Sequence, residues 1–402
     1  MERPDVIVLG GGVSGLAYAF RAAKAGQEVL VVEREAGRVG GCLHSHRLAD
    51  GYWFELGAHT TYNSYGGLLA MVEGTDFAGK LLQRGPARAR FGIKRGGEWR
   101  WLSPPKVLLQ LRWLDLLLHA PFGILAGKEG KTVEQYYTRL LGPRNFREII
   151  SPFFSTVPSQ TADAFPVEGP GALFKKRPRR EEYPRSFGVQ GGLQALCEAV
   201  ASLPGITVEG GLEARRVSKA GAGFAVELSD GRTIEAARCA IATPAPAAAA
   251  LVERDWPRLS AAIRRIGTVT VETLGVVVPR EKVTIPEVAF LVDSYYSGVT
   301  RDTFPDARWR AFAFHFRERR VSREEKLRVA AECLGIGPAD FAETVEASRT
   351  LPAPRLEQGA ILAEMDAALA GESLAVTGNY MLGMSIEECV QRSFAEWERV
   401  AG

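Results

Sequence analysis

Three glycines near the start of the chain have the spacing of a phosphate-binding turn. Residues 10–15 are GGGVSG, in which Gly10, Gly12 and Gly15 satisfy the pattern GxGxxG. Gly10 would permit a tight turn, Gly12 would let the backbone approach a pyrophosphate, and Gly15 would let the next helix pack closely on a strand. The phosphates would then lie at the positive N-terminus of that helix. The pattern predicts a dinucleotide-binding turn, with a glycine-rich turn that binds no ligand as the alternative.

An acidic residue stands where a dinucleotide ribose would lie. Glu33 follows Gly15 by 18 residues and ends the apolar run at 27–32. A carboxylate at the end of the second strand can accept hydrogen bonds from a ribose diol. An arginine in its place would favour a 2′-phosphate. The sequence therefore predicts a dinucleotide without that phosphate.

The strands and the helix that position these residues can also be predicted from the sequence. Residues 5–9 (DVIVL) are apolar and rich in β-branched side chains, which is typical of a buried parallel strand. A helical pattern from about residue 16 to residue 25 ends at Gly26, and residues 27–32 form a second apolar run. The order strand, glycine turn, helix, strand is that of a nucleotide-binding βαβ unit.

A second glycine pair narrows the choice of dinucleotide. Residues 33–41 (EREAGRVGG) resemble the ExxxxRxGG signature of the flavoprotein group that contains amine oxidases, protoporphyrinogen oxidases and carotenoid desaturases. Gly40 and Gly41 would permit backbone contact with the cofactor. Arg38 would place a fixed positive charge beside the pyrophosphate. The resemblance implies FAD.

Three further segments are similar to those flavoproteins. Residues 51–59 (GYWFELGAH) resemble a strand that ends in a glycine turn near the flavin, and residues 187–196 (FGVQGGLQAL) resemble a helix start. Residues 374–390 resemble a strand and turn followed by a helix that Ser385 would cap. In relatives the N-terminus of that last helix points at the pyrimidine end of the flavin.

The resemblance implies a set of cofactor contacts. The candidate residues are Gly10, Gly12, Val13, Ser14, Gly15, Glu33, Arg34, Arg38, Gly40, Gly41, Gly57, Ala58, His59, Val217, Gly378, Asn379, Met384, Ser385 and Ile386. The backbone at Val217 corresponds to a position that touches the adenine in relatives, although a plain β-meander is the alternative for residues 206–236. His59 is equally compatible with an ordinary loop histidine.

The expected fold is an α/β, interleaved two-domain flavoprotein. The resemblance implies a Rossmann-like FAD-binding domain of residues 1–85, 186–255 and 355–402, and an α+β substrate domain of residues 86–185 and 256–354. The GNY turn at 378–380 with Gly383, and the helix pair around Gly142 and Pro152, most closely resemble the protoporphyrinogen oxidases.

The chemistry implied is oxidation by the flavin without a side-chain catalytic constellation. No Ser/His/Asp or Cys/His signature occurs, so no catalytic residue is identified. The resemblance implies an FAD-dependent oxidoreductase that removes hydride from a bulky, largely apolar substrate such as a porphyrinogen, with dioxygen or quinone as acceptor. A strand expected at about residues 264–276 contains no lysine, which is evidence against an amine oxidase that uses one.

Three other functions remain open. The first is a flavin amine oxidase or an isoprenoid desaturase. The second is a flavin-dependent sugar mutase, whose family shares GRxGG-like motifs. The third is a non-catalytic FAD-binding protein.

Two basic features have alternative interpretations. Arg90 stands where the protoporphyrinogen oxidases resemble one another in an Arg-Phe pair, which implies a substrate carboxylate as its partner, and a surface arginine is the alternative. Residues 175–180 (KKRPRR) could contact anionic lipid. Pro178, Glu181 and Glu182 favour a solvated loop instead.

Composition limits the partners. With 50 basic and 47 acidic residues the net charge is +3, so nucleic acid is not an expected partner. The five cysteines are scattered without metal-ligand spacing, which favours reduced thiols, a cytoplasmic location and no metal site. Residues 99–126 are apolar but interrupted by charges. They could lie at a membrane surface, although a core helix of the substrate domain is the favoured interpretation.

Overall fold

The computed structural model describes residues 3–84, 90–95, 98–125, 127–285, 288–292, 296–301, 306–316 and 321–401. The helices are α1 (Val13–Lys24), α2 (Gly66–Glu73), α3 (Pro104–Leu108), α4 (Trp113–Ile124), α5 (Val133–Leu141), α6 (Pro143–Asn145), α7 (Ser151–Thr156), α8 (Leu193–Ala201), α9 (Ala245–Leu251), α10 (Pro257–Arg264), α11 (Arg323–Leu334), α12 (Gln358–Ala368) and α13 (Ile386–Ala401). A π-helical turn, Phe146–Ile150, joins α6 to α7.

The strands are β1 (Val6–Leu9), β2 (Val29–Glu33), β3 (Ser45–Arg47), β4 (Trp53–Glu55), β5 (Thr61–Tyr62), β6 (Leu81–Gln83), β7 (Arg90–Arg95), β8 (Glu98–Leu102), β9 (Ser186–Val189), β10 (Ile206–Gly210), β11 (Ala214–Ala220), β12 (Gly223–Leu228), β13 (Thr233–Ala236), β14 (Arg238–Ile241), β15 (Thr268–Pro279), β16 (Val288–Val292), β17 (Tyr296–Arg301), β18 (Trp309–Phe316), β19 (Glu343–Pro352) and β20 (Leu374–Val376). Short 3₁₀ turns occur at Ala78–Lys80, Arg280–Lys282 and Pro338–Asp340.

A parallel sheet carries the glycine turn. Its strand order is β10-β2-β1-β14-β20, and every neighbouring pair is parallel. β1 and β20 are buried over their full length, and β14 is buried except at Arg238, as expected when helices cover both faces of a parallel sheet. The α/β fold predicted from the sequence is therefore confirmed, including the strand–turn–helix–strand unit at residues 6–33.

The region after α8 divides between two sheets. The sequence predicts a run of strands from residue 206 to residue 236. In the structure β10 joins the parallel sheet beside β2, and only β11, β12 and β13 form an antiparallel three-stranded meander. The β12–β13 turn contains Gly231 at φ +87°, the conformation expected of the Asp-Gly pair there.

A mixed seven-stranded sheet lies among the other described residues, in the order β19-β15-β18-β17-β16-β7-β8. Its longest strand, β15, lies second from one edge and begins at Thr268. The predicted strand at 264–276 was therefore wrong at its start, because α10 continues to Arg264 and a turn follows. The sheets draw on different stretches of the chain, and the proposed domain boundaries stay a prediction.

The seven-stranded sheet approaches the strand that leads to the predicted flavin turn. A Cβ placed on Gly275 of β15 would lie 2.4 Å from a methyl carbon of Leu56 and 2.8 Å from the ring of Phe54. A side chain there would overpack the contact. Tyr52, Phe54 and Leu56 pack with Val277 and Ala311 in one buried cluster. The absence of a side chain at Gly275 therefore sets how closely the two parts approach.

The apolar stretch at 99–126 is not one helix. It contains the end of β8, then α3 and α4. The interpretation of this stretch as a core helix was wrong for α4, because Trp113, Leu114, Leu117 and Leu118 have 54–70% of their surface exposed.

Candidate functional site

The glycine turn is built from backbones that touch. Gly10 has φ +108°, and a Cβ there would lie 2.9 Å from the carbonyl oxygen of Ala242 on the neighbouring strand connection. A Cβ on Gly15 would lie 1.9 Å from the carbonyl oxygen of Gly10. Gly12 bridges to Gly40 of the second glycine pair. Gly10 and Gly15 therefore accept glycine alone, and the turn opens at the N-terminus of α1.

The second glycine pair lies directly on the first turn. Gly40 has φ +109° and Gly41 has φ +58°. A Cβ on Gly41 would lie 3.1 Å from the Cα of Gly12. A Cβ on Gly57 would lie 2.0 Å from the carbonyl oxygen of Cys42. The structure thus brings three predicted glycine segments together in a cradle without side chains, which fits the pyrophosphate of a dinucleotide.

Glu33 stands at the predicted ribose position and is half-buried. Its Oε2 accepts the N–H of Gly11 at 2.7 Å, and its Oε1 accepts the N–H of Glu35 at 2.8 Å. A carboxylate has about four lone-pair sites, so each oxygen keeps capacity for a hydroxyl donor. The two backbone hydrogen bonds hold the carboxylate beside the glycine turn.

Arg38 belongs to a charged network beside the cradle. It forms an ion pair with Glu35, and its NH1 donates to the carbonyl oxygen of Gly41 at 3.2 Å. Arg349 of β19 lies 3.5 Å from Glu35 and 3.2 Å from the Nδ1 of His44. Burial, followed by the charges of Arg38 and Arg349, lowers the pKa of His44 to about 4. Because His44 is neutral near pH 7, two guanidinium groups face one carboxylate and the network carries excess positive charge.

Sequence reasoning missed Arg349. It lies on β19, more than 300 residues from Glu35 along the chain, and no motif surrounds it. Only the pairing of β19 with β15 brings it to the glycine cradle.

The C-terminal turn and helix lie against the N-terminal turn. Gly378 has φ +150°, and a Cβ there would lie 2.5 Å from the ring of Tyr380. Ser385 caps α13 as predicted: the N–H of Glu388 donates to its Oγ at 3.2 Å. Val13 at the start of α1 packs with Ile386 and Cys389 of α13 in one buried cluster. The two ends of the predicted cofactor site are therefore adjacent in the fold.

The basic run at 175–180 does not form the solvated loop expected of it. Lys175 forms an ion pair with Glu388 and donates to the carbonyl oxygen of Leu382 at 2.9 Å. Arg177 donates to the Oγ of Ser385 at 3.2 Å and lies 3.5 Å from Glu388. The loop interpretation was wrong for these two residues, because the buried carboxylate of Glu388 draws them onto the start of α13.

The other candidate positions differ in surroundings. His59 is half-buried, with its Nδ1 3.1 Å from the carbonyl oxygen of Gly57. Arg34 is exposed, and the side chain of Val217 is fully buried in the core beneath the meander. Arg90 begins β7, and its side chain lies outside the described residues. The remaining positions lie in the turns described above (Ala58, Asn379 and Met384) or begin the two helices (Val13 and Ile386).

Glu55 braces the strand that leads into the flavin turn. Its Oε1 accepts the N–H of Leu193 at 2.8 Å, and its Oε2 accepts the hydroxyl of Ser45 at 2.7 Å. The residue is 6% exposed. Burial raises the pKa of Glu55 to about 7, although the two hydrogen bonds oppose that shift. A carboxyl group that changes charge near neutral pH thus holds β4 against the start of α8.

Among the residues that the structure describes, no group of three or more His, Cys, Asp or Glu side chains could hold a metal ion. No helix in that part of the chain is long and apolar enough to cross a bilayer.

Comparison with protein families matches residues 13–306 to the flavin-containing amine oxidoreductases. Among curated proteins, the chain is 31% identical over 100 residues to all-trans-retinol 13,14-reductase of Danio rerio, which is 25% of this chain and 13% of that protein. It is 45% identical over 58 residues to the Homo sapiens protein of the same description, which is 14% of this chain and 9% of that protein. The matches therefore span a small part of these relatives.

Solved structures share the fold over nearly the whole chain. A protein of Exiguobacterium sp. 255-15 with a provisional assignment as protoporphyrinogen oxidase superposes with TM-score 0.78 and 16% identity, over 98% of this chain and 97% of that one. Cyclohexylamine oxidase from Brevibacterium oxydans IH-35A gives TM-score 0.72 and 17% identity, over all of both chains. Reduced UDP-galactopyranose mutase gives TM-score 0.73 and 15% identity, over 99% of this chain and 96% of that one. At these identities the likeness extends to the fold alone.

We predict that Glu55 makes stability depend on pH. Its pKa of about 7 in the folded protein lies above the ordinary value of 4.5, so the folded state binds the proton more firmly. Stability from this group is therefore full below about pH 4.5 and is lost as pH rises to about 7. Relative to Glu55→Gln, the parent protein should lose on the order of 3 kcal/mol of unfolding free energy across that range.

Urea unfolding at a series of pH values measures this difference. Glu253→Gln is the matched control, because the side chain of Glu253 is 62% exposed. The control should follow the parent at every pH. Parallel curves for the parent and Glu55→Gln would contradict the assignment.

Proposed function

Because this chain belongs to the flavin-containing amine oxidoreductase family, we propose that it is an FAD-dependent oxidoreductase of the protoporphyrinogen-oxidase-like branch. It removes hydride from a bulky, largely apolar substrate such as a porphyrinogen. Electrons then pass to dioxygen or to a quinone. Bound FAD supplies the hydride acceptor in this reaction.

One observation carries the choice of FAD: both predicted ends of the cofactor site lie together. The buried cluster of Val13, Ile386 and Cys389 packs the start of α1 against the start of α13. A pyrophosphate would lie at the first helix and the flavin at the second. Glu33 would hold the ribose hydroxyls of the adenosine end, and Arg38 would face the pyrophosphate.

The seven-stranded sheet, which belongs mainly to the proposed substrate domain, supports a redox reaction that does not use a catalytic lysine. β15 (TVTVETLGVVVP) contains no lysine along its described length. The buried Lys326 instead pairs with Glu272 of β15 at 2.9 Å, on the face that packs against α11. This favours an oxidase or dehydrogenase of an apolar substrate over a lysine-assisted amine oxidase. The fold shared with a provisionally assigned protoporphyrinogen oxidase is compatible with a porphyrinogen, and the short matches to retinol reductases are compatible with a polyene.

Other functions have distinct signatures. An amine oxidase would release peroxide with amines, and an isoprenoid desaturase would be reduced by polyprenes. A sugar mutase, suggested by the shared fold, would convert a nucleotide sugar only with reduced flavin. A non-catalytic FAD-binding protein would bind flavin and turn over none of these compounds.

We also propose that α4 contacts a membrane surface. Its more polar face, with Asp115 and His119, packs against Gly142 after α5. The opposite face exposes Trp113, Leu114, Leu117 and Leu118. A surface helix that turns polar residues inward and large apolar residues outward is typical of membrane contact. Exposed Lys106 before α4 and Lys128 after it are complementary to anionic headgroups.

We predict that the cradle determines cofactor binding. Gly41→Ala should weaken FAD binding at least about tenfold, because its Cβ would lie 3.1 Å from the Cα of Gly12 where the pyrophosphate fits. Gly37→Ala is the control: Gly37 has a similar φ of +70° but open space around it. Both substitutions place an alanine at a similar positive φ and so introduce similar backbone strain. The two variants therefore differ only in whether the added methyl group lies in the cradle. Titration of apoprotein with FAD measures the difference, and equal losses in both variants would contradict the site.

We predict that anaerobic mixing with a porphyrinogen bleaches the oxidised flavin absorbance. The hydride leaves the substrate for the flavin, so no added side-chain catalyst is needed. Stopped-flow spectroscopy measures the rate, and reoxidation by dioxygen or by a quinone identifies the acceptor. Unchanged absorbance with the porphyrinogen, but bleaching with an amine or a polyprene, would transfer the assignment to the alternative function.

We predict that the protein co-sediments with vesicles containing phosphatidylglycerol. Replacing both Leu117 and Leu118 with Glu should weaken this binding at least about a hundredfold, because each leucine contributes about 1.5–3 kcal/mol when buried. Leu356→Glu is the control, since Leu356 is 42% exposed outside α4. Equal binding by all three proteins would contradict a membrane role for α4.

A further inference from the structure

Two cations from the basic run close over the start of α13. Lys175 reaches the Oε1 of Glu388 and donates to the carbonyl oxygen of Leu382. Arg177 lies 3.5 Å from the same carboxylate oxygen and donates to the Oγ of Ser385. These contacts span the turn that precedes the helix and its first turn. The cations are therefore held against the helix N-terminus by both backbone and side-chain acceptors.

The carboxylate at the centre of this cluster is enclosed. The side chain of Glu388 is 7% exposed. A Cβ on Gly383 would lie 2.2 Å from its Oε2, so the turn leaves room for the carboxylate. Ser385 donates to that oxygen at 2.8 Å. Its Oε1 faces both cations, in an ion pair with Lys175 and 3.5 Å from Arg177. The buried carboxylate is therefore compensated by the hydroxyl on one oxygen and by the two cations on the other.

The charges in the cluster do not cancel. Lys175 and Arg177 contribute two positive charges, and Glu388 contributes one negative charge. Glu387, the next acid, turns away and accepts the N–H groups of Gly67 and Leu68 at the start of α2. The excess positive charge adds to the partial positive charge of the α13 N-terminus.

We propose that Lys175 and Arg177 are positioning residues that maintain a positive potential at the start of α13 and thereby favour the anionic, reduced form of the bound flavin. This inference rests on the proposed FAD function. The two residues act through the electric field at the turn formed by residues 382–385. Glu388 holds them in place and moderates the potential that they create.

The chain offers a matched control for this role. Burial alternates along the segment, so Lys175 and Arg177 are half-buried while the intervening Lys176 is exposed. Lys176→Gln removes the same charge from the side of the segment that faces solvent. Solvent screening should leave it with little effect on the flavin.

The experiment measures the two-electron midpoint potential of the FAD-loaded protein by dye-coupled reductive titration. Lys175→Gln and Arg177→Gln should each shift the reduction equilibrium about tenfold toward the oxidised flavin, which is about 30 mV for a two-electron couple. Glu388→Gln removes the opposing charge and should shift the equilibrium toward the reduced flavin. Lys175→Arg keeps the charge and should restore the parent potential.

The outcomes separate the electrostatic role from a structural one. A loosened turn would shift the potential in the same direction in Lys175→Gln and Glu388→Gln, and that result would overturn the inference. So would potentials for Lys175→Gln and Arg177→Gln that match Lys176→Gln. A parent protein that binds no FAD in the titration of apoprotein would overturn the proposed function, and this inference with it. A flavin that binds with unchanged potentials would overturn this inference alone.

Discussion

The close approach of three backbone segments is the constraint on which the candidate site depends. Gly10, Gly41 and Gly57 belong to separate turns, and a Cβ on each would lie between 2.0 and 3.1 Å from a backbone atom of another residue. Because no side chain fills this space, backbone N–H groups and a helix N-terminus can face a phosphate directly. The parallel sheet fixes the first turn, since β1 is paired on both sides and fully buried.

A glycine also allows the seven-stranded sheet to pack closely against the strand that leads into the cradle. Gly275 lets β15 come against Phe54 and Leu56, and this contact orients the strand that runs into the Gly57 turn. Arg349, on the strand next to β15, then reaches Glu35 beside the glycine cradle. A movement of the seven-stranded sheet would therefore change both the packing of β4 and the charge beside Arg38. The predicted cofactor and substrate regions are linked by packing and by charge.

Local patterns predicted the parts of the fold that depend on local physics. The glycine turn, the buried strands on either side and the Ser385 cap each follow from residue types within a few positions of one another. The sequence could not reveal that β10 leaves the meander, because an apolar run does not specify its pairing partner. It could not reveal Arg349 either, since that residue reaches the site through strand pairing alone. The exposure of α4 was missed because apolar composition does not indicate which face packs.

The basic run at 175–180 shows why charge patterning is weak evidence for a solvated loop. Pro178 and the following acids gave the segment the composition of such a loop. The position of the segment is determined by Glu388, which lies more than 200 residues later in the chain. The side chain of Glu388 is 7% exposed and belongs to the first turn of α13. A buried carboxylate is costly unless cations or hydrogen-bond donors compensate its charge. The capping arrangement at Ser385 fixes Glu388, and Glu388 in turn requires a cation that the helix itself does not supply. The segment folds over the helix to meet that electrostatic requirement, and its second cation leaves the turn positive.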